Sequence, residues 1–232
     1  MDTEVLIVGA GPVGLTLSID LGKRGIRCIL IEKNEAPLGY PKMERCNPRT
    51  MEIFRRLGLA DTLRAAGYPP DWPMDIYLVF DLMRPPLFKM AHPTVAQAKA
   101  RRDATIDGSL PLEPYQIISQ YTLEPLLKSV AERIPKVAVK FAHELLSFLQ
   151  ESDGVVAQVT KKSTVRRLRF APNTWSVAMA DLAWFASSWA SKWRVIRTSW
   201  RCAKHCSIAR SFTTVCARRV HGTTIASTII GR

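Results

Sequence analysis

Acidic residues all but vanish from the last third of this chain. Residues 161–232 hold 14 Lys and Arg but a single acid, Asp181, whereas residues 1–160 set 19 basic against 19 acidic residues. The entire formal charge of +13 therefore lies in the C-terminal stretch, which also holds five of the six Trp. Long apolar runs are missing too. Gly, Pro, Lys and Arg interrupt every run before the roughly 18–20 residues that a bilayer span requires, so no membrane partner is expected. The Val5 to Leu17 run lacks the basic leader of a secretory signal, since it follows Asp2 and Glu4, and a cytoplasmic protein is expected. Cysteine is scarce, at five residues. Cys28 and Cys46 are far apart in a chain without a secretory signal, which makes a disulfide framework a poor reading and buried free thiols the better one. With 12 Gly, 15 Pro and 47% hydrophobic residues, neither a collagen-like nor a wholly disordered chain fits, and one large or two small domains are allowed.

What is present begins at once. Glu4 to Val8 is a short, β-branched apolar run of the kind buried on both faces of a parallel sheet. Gly9, Gly11 and Gly14 follow at the G-x-G-x-x-G spacing, and Leu15, Leu17, Ile19 and Leu21 continue as a helix that ends at Lys23-Arg24-Gly25. A second strand, Cys28 to Ile31, runs into Glu32, 21 residues after Gly11. Strand, turn, helix and terminal acid together give the motif the context it needs. Gly9 is predicted to permit the tight turn, Gly11 to let a pyrophosphate approach the backbone, and Gly14 to let helix and strand pack closely. The helix N-terminus offers free N–H groups and partial positive charge to phosphates. Glu32 is predicted to accept from both ribose hydroxyls and to repel a 2′-phosphate. Pro12 at the helix start and Lys33 after the acid complete this set of candidate cofactor contacts.

Two further blocks are legible. Asn47 is a good N-cap, Pro48 suits a first turn, Met51, Ile53, Phe54 and Leu57 form a stripe, and Gly58 is a natural stop. Thr122 is read as the cap of a second helix with Glu124 and Pro125 in its first turn, Leu123, Leu126, Leu127 and Val130 on its apolar face, and Gln120 just ahead of it. Val137 to Phe141, Leu145 to Gln150 and Val155 to Val159 read as short strands, with Ser152-Asp153-Gly154 as a hairpin turn. Residues 68–115 are Pro-rich, with one clear strand at Asp75 to Phe80, and His92 reads as a surface loop residue.

The segments TEVLIVGAGPVGLTLSIDLGKRGIRCILIEK, ERCNPRTMEIFRRLGL and ISQYTLEPLLKSVAE, in this order, resemble the FAD-dependent aromatic hydroxylases, the single-component flavin monooxygenases of the para-hydroxybenzoate hydroxylase type. The likeness covers residues 3 to 160. It implies an α/β, Rossmann-like FAD-binding fold with an inserted small β-sheet, here incomplete. It also implies FAD as cofactor, NAD(P)H as co-substrate and an aromatic small molecule as substrate. By resemblance Arg45 reaches the flavin cofactor, a role in which a guanidinium suits a pyrophosphate, and Gln120 is a ligand of its phosphate or ribose region. Arg49 is a weaker candidate. No catalytic residue and no metal site is assigned, because in such enzymes the flavin carries the oxygen chemistry and the protein binds, orients and excludes water. Nothing in the residues fixes an oligomeric state.

The domain expected is 1–160, followed by a discordant basic tail, 161–232, with no sustained period, no capped helix and an undefined fold or no stable one. Where the resembled enzymes return with a strand ending in Gly-Cys-Asp-Gly, this chain reads Asn173-Thr174-Trp175-Ser176-Val177-Ala178-Met179-Ala180-Asp181. Back-translation of Pro172 to Asp181, read from each third base, gives NAA YAC NTG GTC NGT NGC NAT GGC NGA. Those triplets permit Lys-Tyr-Leu-Val-Gly-Cys-Asp-Gly-Gly, with Val and the motif's last Gly forced. A frameshift near residues 160–163 is the resulting expectation. Two other classes compete: a nucleotide-binding module whose basic tail neutralises nucleic-acid phosphates, which the scattered charges do not favour, and an NAD-dependent oxidoreductase, in which Arg45 and Gln120 have no place. Trp189 with Trp193, and Cys202, His205, Cys206 and Cys216, are too sparse to define a membrane helix or a metal site.

Overall fold

A computed structural model describes residues 3–37, 39, 43–151, 154–161, 164–170, 175–178, 214–220 and 223–228. The chain divides into one unit of residues 1–40 and 124–232 and a second of residues 41–123.

In chain order the first unit opens with β1 (Val5–Val8), α1 (Pro12–Lys23) and β2 (Cys28–Ile31). The second unit then contributes β3 (Arg45–Cys46), α2 (Pro48–Arg56), α3 (Ala60–Ala66), β4 (Ile76–Leu78), β5 (Phe88–Met90), α4 (Val95–Ala104) and β6 (Gln116–Ile117). The helix α5 (Gln120–Glu132) follows, and then β7 (Val137–Lys140), β8 (Glu144–Glu151), β9 (Gly154–Lys161), β10 (Thr164–Phe170), β11 (Trp175–Ala178), β12 (Thr214–Val220) and β13 (Thr223–Thr228).

The first unit is built around a parallel sheet in the order β1-β2-β7, with Val5 beside Cys28 and Cys28 beside Val137. Its alternation explains its two covered faces. Leu6, Ile29 and Ile31 face the antiparallel sheet β10-β9-β8, where they pack against Val155, Ala157 and Val159 of β9. On the other face lies α1, buried along Leu15 and Ile19. The Cys28 Sγ meets the Ser18 carbonyl of that helix at 3.8 Å. At Gly22 the helix lies so close to β7 that a Cβ would stand 2.4 Å from Val137 Cγ2.

The predicted strands and first helix stand at the expected places, with differences that have physical causes. The stretch from Val137, expected in a small separate sheet, instead extends the parallel sheet, because its one neighbour, β2, offers it an apolar edge. The helix expected to be capped by Thr122 begins at Gln120, since the Ser119 carbonyl already accepts from the N–H groups of Thr122 and Leu123 at 2.9 Å each. Its buried stripe runs through Leu123, Leu127 and Ala131 rather than Leu126 and Val130. Beyond residue 161, β10 pairs with β9 in an unbroken antiparallel register from Thr164–Lys161 to Phe170–Val155, and β12 pairs with β11 and β13. Thr and Val recur in these strands, residues that pleated ladders favour. Trp189, Trp193, Cys202, His205 and Cys206 lie outside the described residues, as does the turn at Ser152 and Asp153.

In the second unit, β3 pairs with β6 and β4 with β5, both antiparallel. Asn47 caps α2 as predicted, its side chain accepting from Thr50 N–H at 2.8 Å. Met51 and Phe54 are buried beneath that helix. The Pro-rich stretch holds more structure than its composition suggested. Thr94 and Gln97 form a reciprocal capping box that starts α4. The strand expected over Asp75 to Phe80 shrinks to Ile76–Leu78. Arg64 of α3 donates to Glu113 Oε2 at 2.7 Å and to Gln116 Oε1 at 3.0 Å, which ties that helix to the segment leading into β6.

Candidate functional site

The glycine turn between β1 and α1 has the geometry its spacing implies. Gly9 adopts φ +102°, a conformation open to glycine and strained for other residues. Its N–H donates to the Ile31 carbonyl at 2.8 Å, so the turn is stitched to the end of β2. A Cβ at Gly14 would lie 2.0 Å from the Gly9 carbonyl oxygen, which forbids any side chain there. At Gly11 the situation is the reverse, since a Cβ would meet no nearer atom than Glu124 Oε1 at 4.0 Å. The protein's own packing does not demand that glycine, and its bare backbone faces open space. Gly11 is also the N-cap residue of α1 and Pro12 its first residue, and no side chain caps the helix. The first-turn N–H groups are thus left for a ligand, and the dipole favours an anion there.

Glu32 closes the far side of this turn. Its Oε2 accepts from Ala10 N–H at 2.9 Å, and its Oε1 accepts from both the backbone N–H and the side-chain amide of Asn34, at 3.0 and 2.7 Å. A carboxylate offers about four lone-pair sites. Three are in use, which leaves room for one ribose hydroxyl rather than the two expected from sequence. Lys33, beside it, is exposed. Glu124, which the sequence reading passed over as a first-turn residue, is 3% exposed and flanks Gly11. Its signal was the i, i+4 spacing with Gln120, itself buried at 7% exposure on the same helix.

In the second unit, Arg45 is half-buried rather than solvated. Its guanidinium lies 5.8 Å from the centre of the Tyr115 ring, and its Nη2 donates to the Met74 carbonyl at 3.3 Å. Gln120 N–H donates to the Met43 carbonyl at 3.0 Å, just before β3. Arg49 is exposed and pairs with Glu52. His92 departs from its reading as a surface loop residue. It is half-buried, its Nε2 is sequestered, and its backbone N–H is held by Asp75 Oδ1 at 3.0 Å. That Asp75 also receives Lys89 Nζ at 2.8 Å, and the hydrogen bond from Lys89, with that from His92, holds its carboxyl below the ordinary carboxylate range.

Cys28 and Cys46 are free and buried, as expected. Burial pushes their thiols up, to about 11 and about 12 respectively, so neither is a thiolate nucleophile at neutral pH. Among the described residues no group of His, Cys, Asp and Glu could hold a metal ion, and no helix is long and apolar enough to cross a membrane.

A parallel βαβ unit with an open glycine turn, an uncapped helix and an acid at the end of the second strand defines a dinucleotide-binding α/β protein. The sequence profile of a family described as FAD binding domain matches residues 2–173, and the chain belongs to that family. It is 32% identical over 161 residues to the FAD-dependent monooxygenase apdD of Emericella nidulans, a match covering 69% of this chain and 26% of that protein. It is 29% identical over 169 residues to a 3-(3-hydroxy-phenyl)propionate/3-hydroxycinnamic acid hydroxylase of a Mycobacterium species (strain JLS), covering 73% and 27%. Among solved structures, the flavin-dependent monooxygenase PieE in complex with FAD and substrate superposes with a TM-score of 0.65 at 26% identity, over 78% of this chain and 30% of PieE. A ternary complex of aklavinone-11 hydroxylase with FAD and aklavinone gives 0.63 at 28% identity, over 73% and 31%. The matched relatives are FAD-dependent monooxygenases and hydroxylases, and the chain spans about a quarter of the length of the curated ones.

Proposed function

We propose that this chain is the FAD-binding part of a cytoplasmic flavin-dependent monooxygenase that hydroxylates a phenolic or related aromatic substrate with NAD(P)H and O2. The observation that carries the reading is the Gly9–Gly14 turn, open at Gly11 and faced by Glu32. In it the pyrophosphate lies over Gly11 and the N-terminus of α1, started by Pro12. Glu32 accepts one ribose hydroxyl, and Lys33 beside it adds a cation at the adenosine end. Arg45 supplies a guanidinium to the diphosphate, and Gln120 an amide to the phosphate or ribose region. The carboxylate of Glu32 disfavours a 2′-phosphate at this site. When bound, the flavin supplies the oxygen activation; the chain's own residues hold and orient it.

Titrating the 232-residue chain with FAD and following quenching of the flavin fluorescence tests this. Saturable binding is expected, about tenfold weaker in Glu32→Ala, where a charge-assisted hydrogen bond is lost. FAD fluorescence that stays unquenched, with NADH or ATP protecting the chain from proteolysis instead, would replace the flavin reading with a plain nucleotide-binding one.

Residues 161–232 supply no site in this reading. We infer that the coding frame shifts near residues 160–163, which accounts for the missing acids and the Gly-Cys-Asp-Gly phrase readable one frame away across Pro172 to Asp181. The chain by itself is therefore expected to convert no phenol. A nucleotide read across codons 155–200, with an intact mass beside it, decides the matter. An alternate frame that stops soon or spells another phrase would make the basic stretch genuine protein.

A further inference from the structure

We propose that Ala142 is a positioning residue: the bulge it forms after β7 aims the Glu32 carboxylate at a ribose hydroxyl, and so sets how strongly the chain selects a ribose over a sugar without hydroxyls. The inference rests on the cofactor reading above in taking Glu32 as the ribose contact. Among the described residues Ala142 is the one non-glycine residue with a positive φ, at +56°. In this left-handed region a Cβ crowds the following carbonyl oxygen, and alanine has no polar side chain to compensate, as asparagine or aspartate would. Such strain persists only where the surrounding structure over-determines it, and it gathers at ligand clamps.

The surroundings do over-determine it. The β2–β7 pairing is regular and parallel as far as Ile31 and Lys140, and Glu32 continues it by donating its N–H to the Lys140 carbonyl at 2.9 Å. A regular parallel ladder would next bring the Ala142 N–H to the Glu32 carbonyl. Here that carbonyl accepts instead from His143 N–H at 2.8 Å, while Ala142 N–H donates to the Asn34 carbonyl, also at 2.8 Å. One extra residue has entered the ladder. That makes a β-bulge, a device that recurs beside active sites and re-aims a side chain. The His143 ring pins the bulge from within: its Nδ1 lies 2.7 Å from the Phe141 carbonyl, which can only accept, so Nδ1 carries the proton and donates. The two residues gripped by the bulge, Glu32 and Asn34, are joined again through their side chains, since Asn34 donates both its N–H and its amide to Glu32 Oε1. The bulge therefore fixes both the peptide that carries the carboxylate and the residue that orients it. The other oxygen, Oε2, is held from the glycine turn by Ala10 N–H.

Calorimetric titration of the 232-residue chain with ADP and with 2′,3′-dideoxy-ADP, which lacks both ribose hydroxyls, tests this. Wild type is expected to bind ADP about tenfold more tightly than the dideoxy compound, as one charge-assisted hydrogen bond would give. Glu32→Ala should bring that ratio close to one. Ala142→Val puts a β-branched side chain where φ +56° excludes it, and should lower the ratio to about threefold or less while leaving dideoxy-ADP affinity unchanged. Added to Glu32→Ala, it should weaken ADP no further, because both changes act through one carboxylate. Glycine adopts this φ freely, so the conservative Ala142→Gly should keep the wild-type ratio. His143→Ala removes the ring's tie to Phe141 and leaves every backbone bond; it should lower the ratio about twofold, and it keeps the test alive if the valine variant fails to fold. Equal weakening of both nucleotides by Ala142→Val would show a merely structural turn and overturn the proposal. So would a ratio that stays at the wild-type value in a folded Ala142→Val or, should that variant not fold, in His143→Ala. FAD binding with a ribose preference indifferent to these variants removes the proposal and leaves the cofactor reading standing. Failure of the wild-type chain to bind FAD or either nucleotide removes both.

Discussion

The parallel sheet of the first unit and the β4–β5 hairpin of the second are made of similar apolar residues and treat them in opposite ways. Every residue of β2 is buried, and Ile7, Leu30 and Ile31 are wholly so. In β4 every residue is exposed, and beyond it Phe80, Leu82 and Met83 are 81%, 92% and 94% exposed. One sheet has layers on both faces; the other is a two-stranded ribbon, which is marginal on its own. Stability in this molecule is therefore a property of neighbours rather than of residue type, and the hairpin must depend on a few polar ties where the sheet depends on burial.

Breaking the buried side should cost most. Gly14→Ala places a Cβ within 2.0 Å of the Gly9 carbonyl, and a loss of more than about 3 kcal/mol is expected in denaturant melts, with FAD binding lost. Leu30→Ala, at a site with 0% exposure, should cost about 2–5 kcal/mol in the same assay, according to how far α1 can settle into the void. On the hairpin, Asp75→Asn should loosen β4–β5 without unfolding the sheet, seen as faster amide exchange confined to residues 76–90. Because the Asp75 carboxyl titrates below its ordinary value of 3.8, its contribution is complete above that value and fades as the pH falls through the depressed one. Hairpin protection should thus survive at pH 5 and weaken as stronger acid protonates the carboxylate, and equal protection in wild type and Asp75→Asn at pH 5 would show the tie to Lys89 to be idle. Smallest of all, Phe80→Ser should move stability by no more than about 0.5 kcal/mol. A larger drop would mean that the exposed ring is covered in solution.

The same contrast explains what could be read in advance. Strand, glycine turn, helix and acid were legible because each depends on local rules: β-branched runs, φ above zero at Gly9, close packing at Gly14. The α2 helix was legible from Asn47 and Pro48. The start of α5 was displaced because a backbone carbonyl, Ser119, did the work expected of a Thr122 side chain. The α4 helix escaped notice although Thr94 and Gln97 stand at capping-box spacing, since the surrounding prolines dominated the composition. The pairing of β3 with β6 joins Arg45 to Ile117, and the tie of His92 to Asp75 spans 17 positions, and no local rule encodes either. At the site, the glycines and Glu32 were visible as a motif. The number of lone pairs left on Glu32 depends on where Asn34 and Ala10 come to rest, which only the folded turn reveals.

Those three hydrogen bonds on Glu32 also bear on the kinetics of association. In the proposed FAD-binding reading they hold the turn around Glu32 in one shape before a nucleotide arrives, so little ordering entropy remains to be lost there on docking. Encounter, rather than rearrangement, is then expected to limit the on-rate there, and variation in affinity among Glu32 and Asn34 substitutions should appear mainly in how quickly the nucleotide leaves.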